Sequence, residues 1–117
     1  MMLAGWGRYP RVECRVIAPR SRDEVVGAVA AQRSLIARGN GRAYGDSALN
    51  TDATLDLRRA DRFIAFDTAT GVLEAEAGAL LADVLGCLVP RGWFPPVTPG
   101  TKFVTLGGML AADVHGK

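Results

Sequence analysis

The stretch that most limits what this chain can become is "ARGNGRAYGDSALN", residues 37–50, with three glycines and two arginines. Gly39, Gly41 and Gly45 permit backbone conformations closed to other residues and let a ligand approach the main chain. Successive amides in such a turn can form an anion-binding nest, and Arg38 and Arg42 add positive charge. The spacing is G-x-G-x-x-x-G. It differs from the dinucleotide fingerprint, and no Gly-Lys-Ser/Thr follows to make a Walker loop. A Rossmann reading also needs a helix that starts in the loop, whereas "GDSALNTDA" is turn-forming and has no helical stripe. The loop therefore joins two strands. A glycine turn that binds nothing fits these residues as well as a phosphate loop does.

The surrounding pattern is mixed. "PRSRDEVVGAVAAQR" carries a helix start, with Ser21 as cap and Glu24 three residues on. Val25, Val26 and Val29 follow at helical spacing. "SLIAR" (34–38) predicts a buried strand leading into the glycine loop. "ATLDLR" (53–58), "RFIAFD" (62–67) and "VLEAEAG" (72–78) predict further strands, the last with one wet face. Asp67 to Gly71 is a hairpin turn. "GALLADVLGCLVPRG" predicts a second helix with Leu80, Leu81, Val84, Leu85 and Leu88 on one face, stopped by Pro90 and Gly92. The last 25 residues, "WFPPVTPGTKFVTLGGMLAADVHGK", show no regular period and are expected to be an ordered loop. The order of elements gives an α+β domain.

Composition sets the outer limits. At 117 residues the chain is one domain's worth of sequence, long enough to bury a core. Its formal net charge of +2 is too small to argue for a nucleic-acid or membrane-surface partner. Arginine outnumbers lysine twelve to two. A GC-rich genome explains that bias more simply than a phosphate-binding role. Cys14 and Cys87 are far apart and form no ligand cluster with His115, so neither a disulfide nor a metal site is expected and a reduced, cytoplasmic setting is the default. No run is long enough for a signal core or a membrane span. The end at "DVHGK" follows a glycine-rich stretch with no closing element, and suggests a chain cut from something longer.

A second glycine segment strengthens the ligand reading. "TPGTKFVTLGGMLAADVHGK" holds Gly100, the pair Gly107-Gly108, and His115-Gly116. Adjacent glycines after "VTL" suit either tight packing or a second row of amides facing a ligand. A lone histidine such as His115 is more often structural than catalytic.

Taken together, "ARGNGRAYGDSALN", "TPGTKFVTLGGMLAADVHGK" and the opening "GWGRYP" resemble the N-terminal part of the FAD-linked oxidases of the vanillyl-alcohol oxidase (PCMH-type) superfamily, within it the decaprenylphosphoryl-ribose 2-oxidase-like subgroup. The resemblance runs from Trp6 to Lys117. It implies a PCMH-type FAD-binding domain, N-terminal part: a small α/β subdomain followed by the start of the second. The rest of that domain and a substrate domain would lie beyond this chain.

The cofactor implied is FAD. Its pyrophosphate would lie on the stretch from Ala37 to Ser47. Arg38 belongs to that stretch, the amides around Gly39, Asn40, Gly41, Arg42 and Ala43 would be the donors, and Tyr44, Gly45 and Asp46 would shape the turn. Gly100, Thr101, Thr105, Leu106, Gly107 and Gly108 would line its other side. His115, Gly116 and Lys117 would lie toward the isoalloxazine ring, with His115 a proton acceptor or hydroxyl-orienting group and Lys117 steering an anionic substrate. Many relatives have a tethering histidine where this chain has Arg42, so the FAD is expected to be noncovalent. The implied substrate of the complete protein is a small alcohol or sugar-type molecule, and the chain alone is expected to lack turnover. The rival reading is a noncatalytic α+β binding module whose glycine loops are structural.

Overall fold

The computed structural model describes residues 1–115. The described residues form three small sheets and three α-helices. β1 (Met2–Ala4) pairs antiparallel with β2 (Arg11–Glu13), with Leu3 opposite Val12. β3 (Arg15–Ile17) leads through α1 (Arg22–Ala31) to β4 (Ile36–Arg38). Between them lies β5 (Ala53–Asp56), parallel to both, so that Thr54 faces Val16 on one side and Ile36 on the other.

As the central strand, β5 is covered on both faces. Ala53, Thr54 and Leu55 are no more than 3% exposed. A buried hydroxyl needs a partner, and that of Thr54 lies 3.4 Å from the Asn50 carbonyl and 3.5 Å from Cys14 Sγ.

α1 starts where the sequence predicts. Ser21 Oγ accepts from the Glu24 amide, and Glu24 in return accepts from the Arg20 amide. Asp23 and Glu24 also sit favourably against the positive end of the helix dipole. Its expected apolar stripe is divided: Val25 is half-buried, whereas Val26 and Val29 stand largely exposed. β4 is shorter than the expected 34–38 and only half-buried, because it is an edge strand of its sheet.

β6 (Phe63–Asp67) and β7 (Val72–Ala75) form the expected hairpin. Asp67 closes its turn by accepting from Ala69 and Thr70. Gly71 has φ +78°, and a Cβ there would lie 2.5 Å from the Trp93 ring, so two constraints select glycine. Trp93 also meets Phe66 edge to face. β7 ends before the predicted residue 78. Glu76 turns away to bind the Arg62 backbone and guanidinium, and Gly78 presses against the Leu57 and Ala60 carbonyls.

α2 (Leu81–Leu88) buries Leu81 and Val84, and a short 3₁₀ turn (Val89–Arg91) ends at Gly92, φ +87°. The tail departs from expectation. Where the sequence predicts loop throughout, α3 (Leu106–Ala111) forms. "LGGMLA" has little helical propensity of its own. Its start is fixed by the Thr105 cap and by tertiary hydrogen bonds from Leu106 to Ala79 O and from Gly107 to Ala77 O.

Candidate FAD-binding site

The loop from Gly39 to Asp52 leaves the C-terminal end of β4 and returns as β5. It connects parallel neighbours without a helix, as the turn-forming residues require. Gly41 (φ +68°) and Gly45 (φ +60°) bend it through the left-handed region. From Gly39 to Gly45, no backbone amide donates to another of the described residues. Seven consecutive groups that water or a ligand must satisfy is unusual for ordered main chain.

The tail forms the opposite wall. Leu80 and Thr105 make an isolated antiparallel bridge, and the amides of Leu81 and Ala82 bind the carbonyls of Val104 and Lys102. Two side chains then lock the segments together: Asn40 Nδ2 and Arg42 Nε both donate to the Phe103 carbonyl, at 2.9 and 3.2 Å. Gly39 comes so close to Thr105 that a Cβ on it would lie 2.3 Å from Thr105 Oγ1. This is a close approach that only glycine permits.

A cleft of about 570 Å³ opens between these walls. Ala37, Gly39 to Tyr44, Ser47 and Ala48 line one side; Thr105, Gly108, Met109 and Val114 are prominent on the other. Arg42 is the one charged side chain on its lining among the described residues. A row of open amides, one arginine, no carboxylate among the described lining residues and walls that are otherwise mostly apolar suit a ligand with an anionic centre and flat apolar groups. A flavin dinucleotide has both.

The expected residues are thus divided. Gly39 to Tyr44 converge on the cleft with Ala37, Ser47, Thr105 and Gly108. Arg38 lies behind the loop: Nη2 donates to Ala4 O at 2.8 Å, and Nη1 is buried without a partner among the described residues, beside a second cavity of about 210 Å³. Asp56 and Arg58 border that same cavity. Burial works to raise the Asp56 carboxyl, but the hydrogen bonds from Arg58, its charge and that of Arg38 prevail and hold it below the ordinary carboxylate value. Gly45 and Asp46 form the turn beyond the cleft, with Asp46 O accepting from Leu49.

Leu106 and Gly107 direct their amides away, into the contacts with Ala79 and Ala77. Gly100 and Thr101 are exposed and off the cleft, where Thr101 Oγ1 accepts from the Phe103 amide. His115 is exposed, with Nδ1 2.7 Å from the Asp113 carbonyl, and does not line the cleft. Gly116 and Lys117 lie outside the described residues. Sequence reasoning did not find Phe103, Val104, Met109 or Val114. The "VTL" threonine was the available signal, since Ser or Thr ahead of a short apolar run is a helix-cap pattern.

The fold and the cleft fit the class of domains that bind a nucleotide cofactor. In particular, the chain belongs to the family described as an FAD binding domain, whose model matches residues 15–117. It is similar to the decaprenylphosphoryl-beta-D-ribose oxidase of Mycolicibacterium smegmatis, with 37% identity over 98% of this chain and 26% of that protein. Among solved structures, cholesterol oxidase from Brevibacterium sterolicum superposes with a TM-score of 0.80 at 18% identity, over 98% of this chain and 24% of the other. An alkyldihydroxyacetonephosphate synthase gives 0.73 at 23% identity, over 86% and 21%. The architecture is that of the N-terminal portion of the PCMH-type FAD-binding domain, the cofactor is FAD, and the chain spans about a quarter of the length of these relatives. No helix among the described residues is long and apolar enough to cross a membrane.

Proposed function

We propose that this chain supplies the pyrophosphate-binding part of a flavin-dependent oxidoreductase that oxidises an alcohol carbon of a sugar or sugar-phosphate-like substrate. The observation that carries the reading is the run of open amides from Gly39 to Tyr44 on the lining of a cleft with a single arginine. These amides would hold the pyrophosphate oxygens, with Gly41 giving the turn its shape and Arg42 adding positive charge nearby. Thr105 and Gly108 would close the opposite wall. When bound, the flavin supplies a two-electron acceptor for hydride. The chain's own tasks are to fix the cofactor and to keep its phosphates out of bulk water.

The sugar-like substrate class is supported by the name of the relative from Mycolicibacterium smegmatis. Proton acceptance by His115 and steering of an anionic substrate by Lys117 are proposed with it. The cofactor is held without a covalent bond, because the guanidinium of Arg42 offers no nucleophile for a tether. Both cysteines are free thiols, which suits a reducing compartment, and we place the protein in the cytoplasm. We propose that the chain has no turnover by itself.

Titration of the purified chain with FAD should shift the flavin fluorescence. Acid precipitation of the complex should leave all flavin in the supernatant. Flavin retained in the pellet would overturn the noncovalent reading. Anaerobic addition of sugar alcohols should leave the flavin of the chain oxidised, and bleaching would show that the chain turns over unaided.

A further inference from the structure

The family match begins at residue 15, yet the residues before it grip the cofactor loop. Arg38 Nη2 donates to Ala4 O and the Trp6 amide donates to Ala43 O, each at 2.8 Å. Between these two bonds Gly5 is pressed onto the loop so tightly that a Cβ would lie 2.6 Å from the carbonyls of both Ala43 and Gly45. The Trp6 ring then lies under Arg42, with the guanidinium carbon 4.4 Å from the ring centroid. Arg42 is thereby held on one side by an aromatic face and on another by the Phe103 carbonyl. Its own backbone amide has no acceptor among the described residues.

We propose, on the basis of the cleft's reading as an FAD site, that the N-terminal turn around Trp6 is a positioning element for the cofactor loop, clasping Arg42 and Ala43 so that the open amides are set before FAD arrives. A loop with seven unbonded amides has few internal reasons to keep one conformation, and disorder in it would cost affinity when the ligand fixes it. The clasp supplies the missing restraints from outside the loop. Half of the Trp6 surface is exposed (52%), so its ring adds little to the core, and its conspicuous contact is the guanidinium. Trp6 is a positioning residue that acts through Arg42.

Two variants of the chain separate a clasp from simple bulk. Trp6→Leu keeps an apolar side chain but removes the aromatic face, whereas Trp6→Phe keeps the face. The first readout needs no cofactor: limited trypsin cleavage after Arg42, followed by mass spectrometry, reports how firmly the loop is held. Trp6→Leu should be cut there several-fold faster than the wild type, with circular dichroism unchanged, and Trp6→Phe should restore most of the protection. The second readout is FAD affinity. Trp6→Leu should weaken it about tenfold, the scale of a partly desolvated cation–π contact, with partial rescue by Trp6→Phe.

Equal cleavage of Trp6→Leu and wild type would overturn the clasp. Faster cleavage with unchanged FAD affinity would overturn its role in positioning the cofactor. Faster cleavage of Trp6→Leu, together with a wild-type chain that ignores FAD altogether, would leave the clasp standing and sink the reading of the cleft.

Discussion

Replacing Gly39 by alanine tests the close approach on which the cleft depends. The new Cβ would lie 2.3 Å from Thr105 Oγ1 and 3.0 Å from Thr105 Cγ2. Thr105 is only 3% exposed and its hydroxyl caps α3 by accepting from the Gly108 amide at 3.1 Å, so it has little room to rotate and a bond to lose. Overpacking of this kind costs about 1–3 kcal/mol, and loss of the cap adds about 1. Against this, alanine restricts the unfolded chain and returns about 0.4–1 kcal/mol, since Gly39 is not in the left-handed region. A net loss of about 2 kcal/mol is expected.

Thr105→Ala alone should cost a similar amount, about 2 kcal/mol, from the cap and the buried methyl. In the double variant the two close contacts disappear, and the nearest remaining atom of residue 105 is its Cβ, 3.2 Å away. The double variant should therefore be little worse than Thr105→Ala, giving a coupling of about 2 kcal/mol between the sites. Urea unfolding of the four proteins, with m-values held common, measures this. Additive losses, within about 0.5 kcal/mol, would refute the claim that Gly39 is required by its contact with Thr105.

Gly78→Ala should be far more damaging. Its Cβ would fall 1.8 Å from Leu57 O and 2.5 Å from Ala60 O, both main-chain atoms, so about 3 kcal/mol or more should be lost in the same melts. Asp56 gives a pH dependence. Its folded carboxyl lies below the ordinary value, so its contribution is complete above about pH 4 and is lost as the pH falls through the folded pKa. Asp56→Asn should flatten that acid limb in a series of melts from pH 6 downward, and an unchanged slope would contradict the pairing with Arg58. Ser21→Ala should cost about 1 kcal/mol in melts through loss of the α1 cap, with little change in FAD affinity, because α1 does not border the cleft.

Local chemistry made some elements readable and tertiary contact made the others. Ser21 with Glu24 signals the start of α1 because the capping bonds span three residues, and Pro90 with Gly92 signals the end of α2 for an equally local reason. The glycine loop is legible as a strand-to-strand connection because its residues disfavour a helix. The three strands before residue 18 are each three residues long, too short for a period to register. α3 was hidden because two of its six residues are glycine, and what fixes it is contact with Ala77 and Ala79 across the chain. The same applies to the site. Glycines announce where a backbone can bend, so Gly39 and Gly41 could be named in advance. Nothing local reveals that the Phe103 carbonyl would receive both Asn40 and Arg42.

The seven open amides have a consequence for how this cradle can vary. Because the donors belong to the backbone, the vocabulary of the site is written in torsion angles rather than in side-chain functional groups. The Tyr44 side chain, 71% exposed on the lining of the cleft, can be exchanged without removing a single backbone donor. A methyl group placed on Gly41, where φ is +68° and Arg38 Nη2 would be 2.7 Å away, adds no charge and removes no hydrogen-bonding group, yet it would redirect several donors at once. The tolerance of this loop to mutation should therefore follow conformational permission as well as chemistry, with a mild change at the Gly41 bend more harmful than a drastic one at Tyr44, while Arg42 keeps its own side-chain contacts to lose.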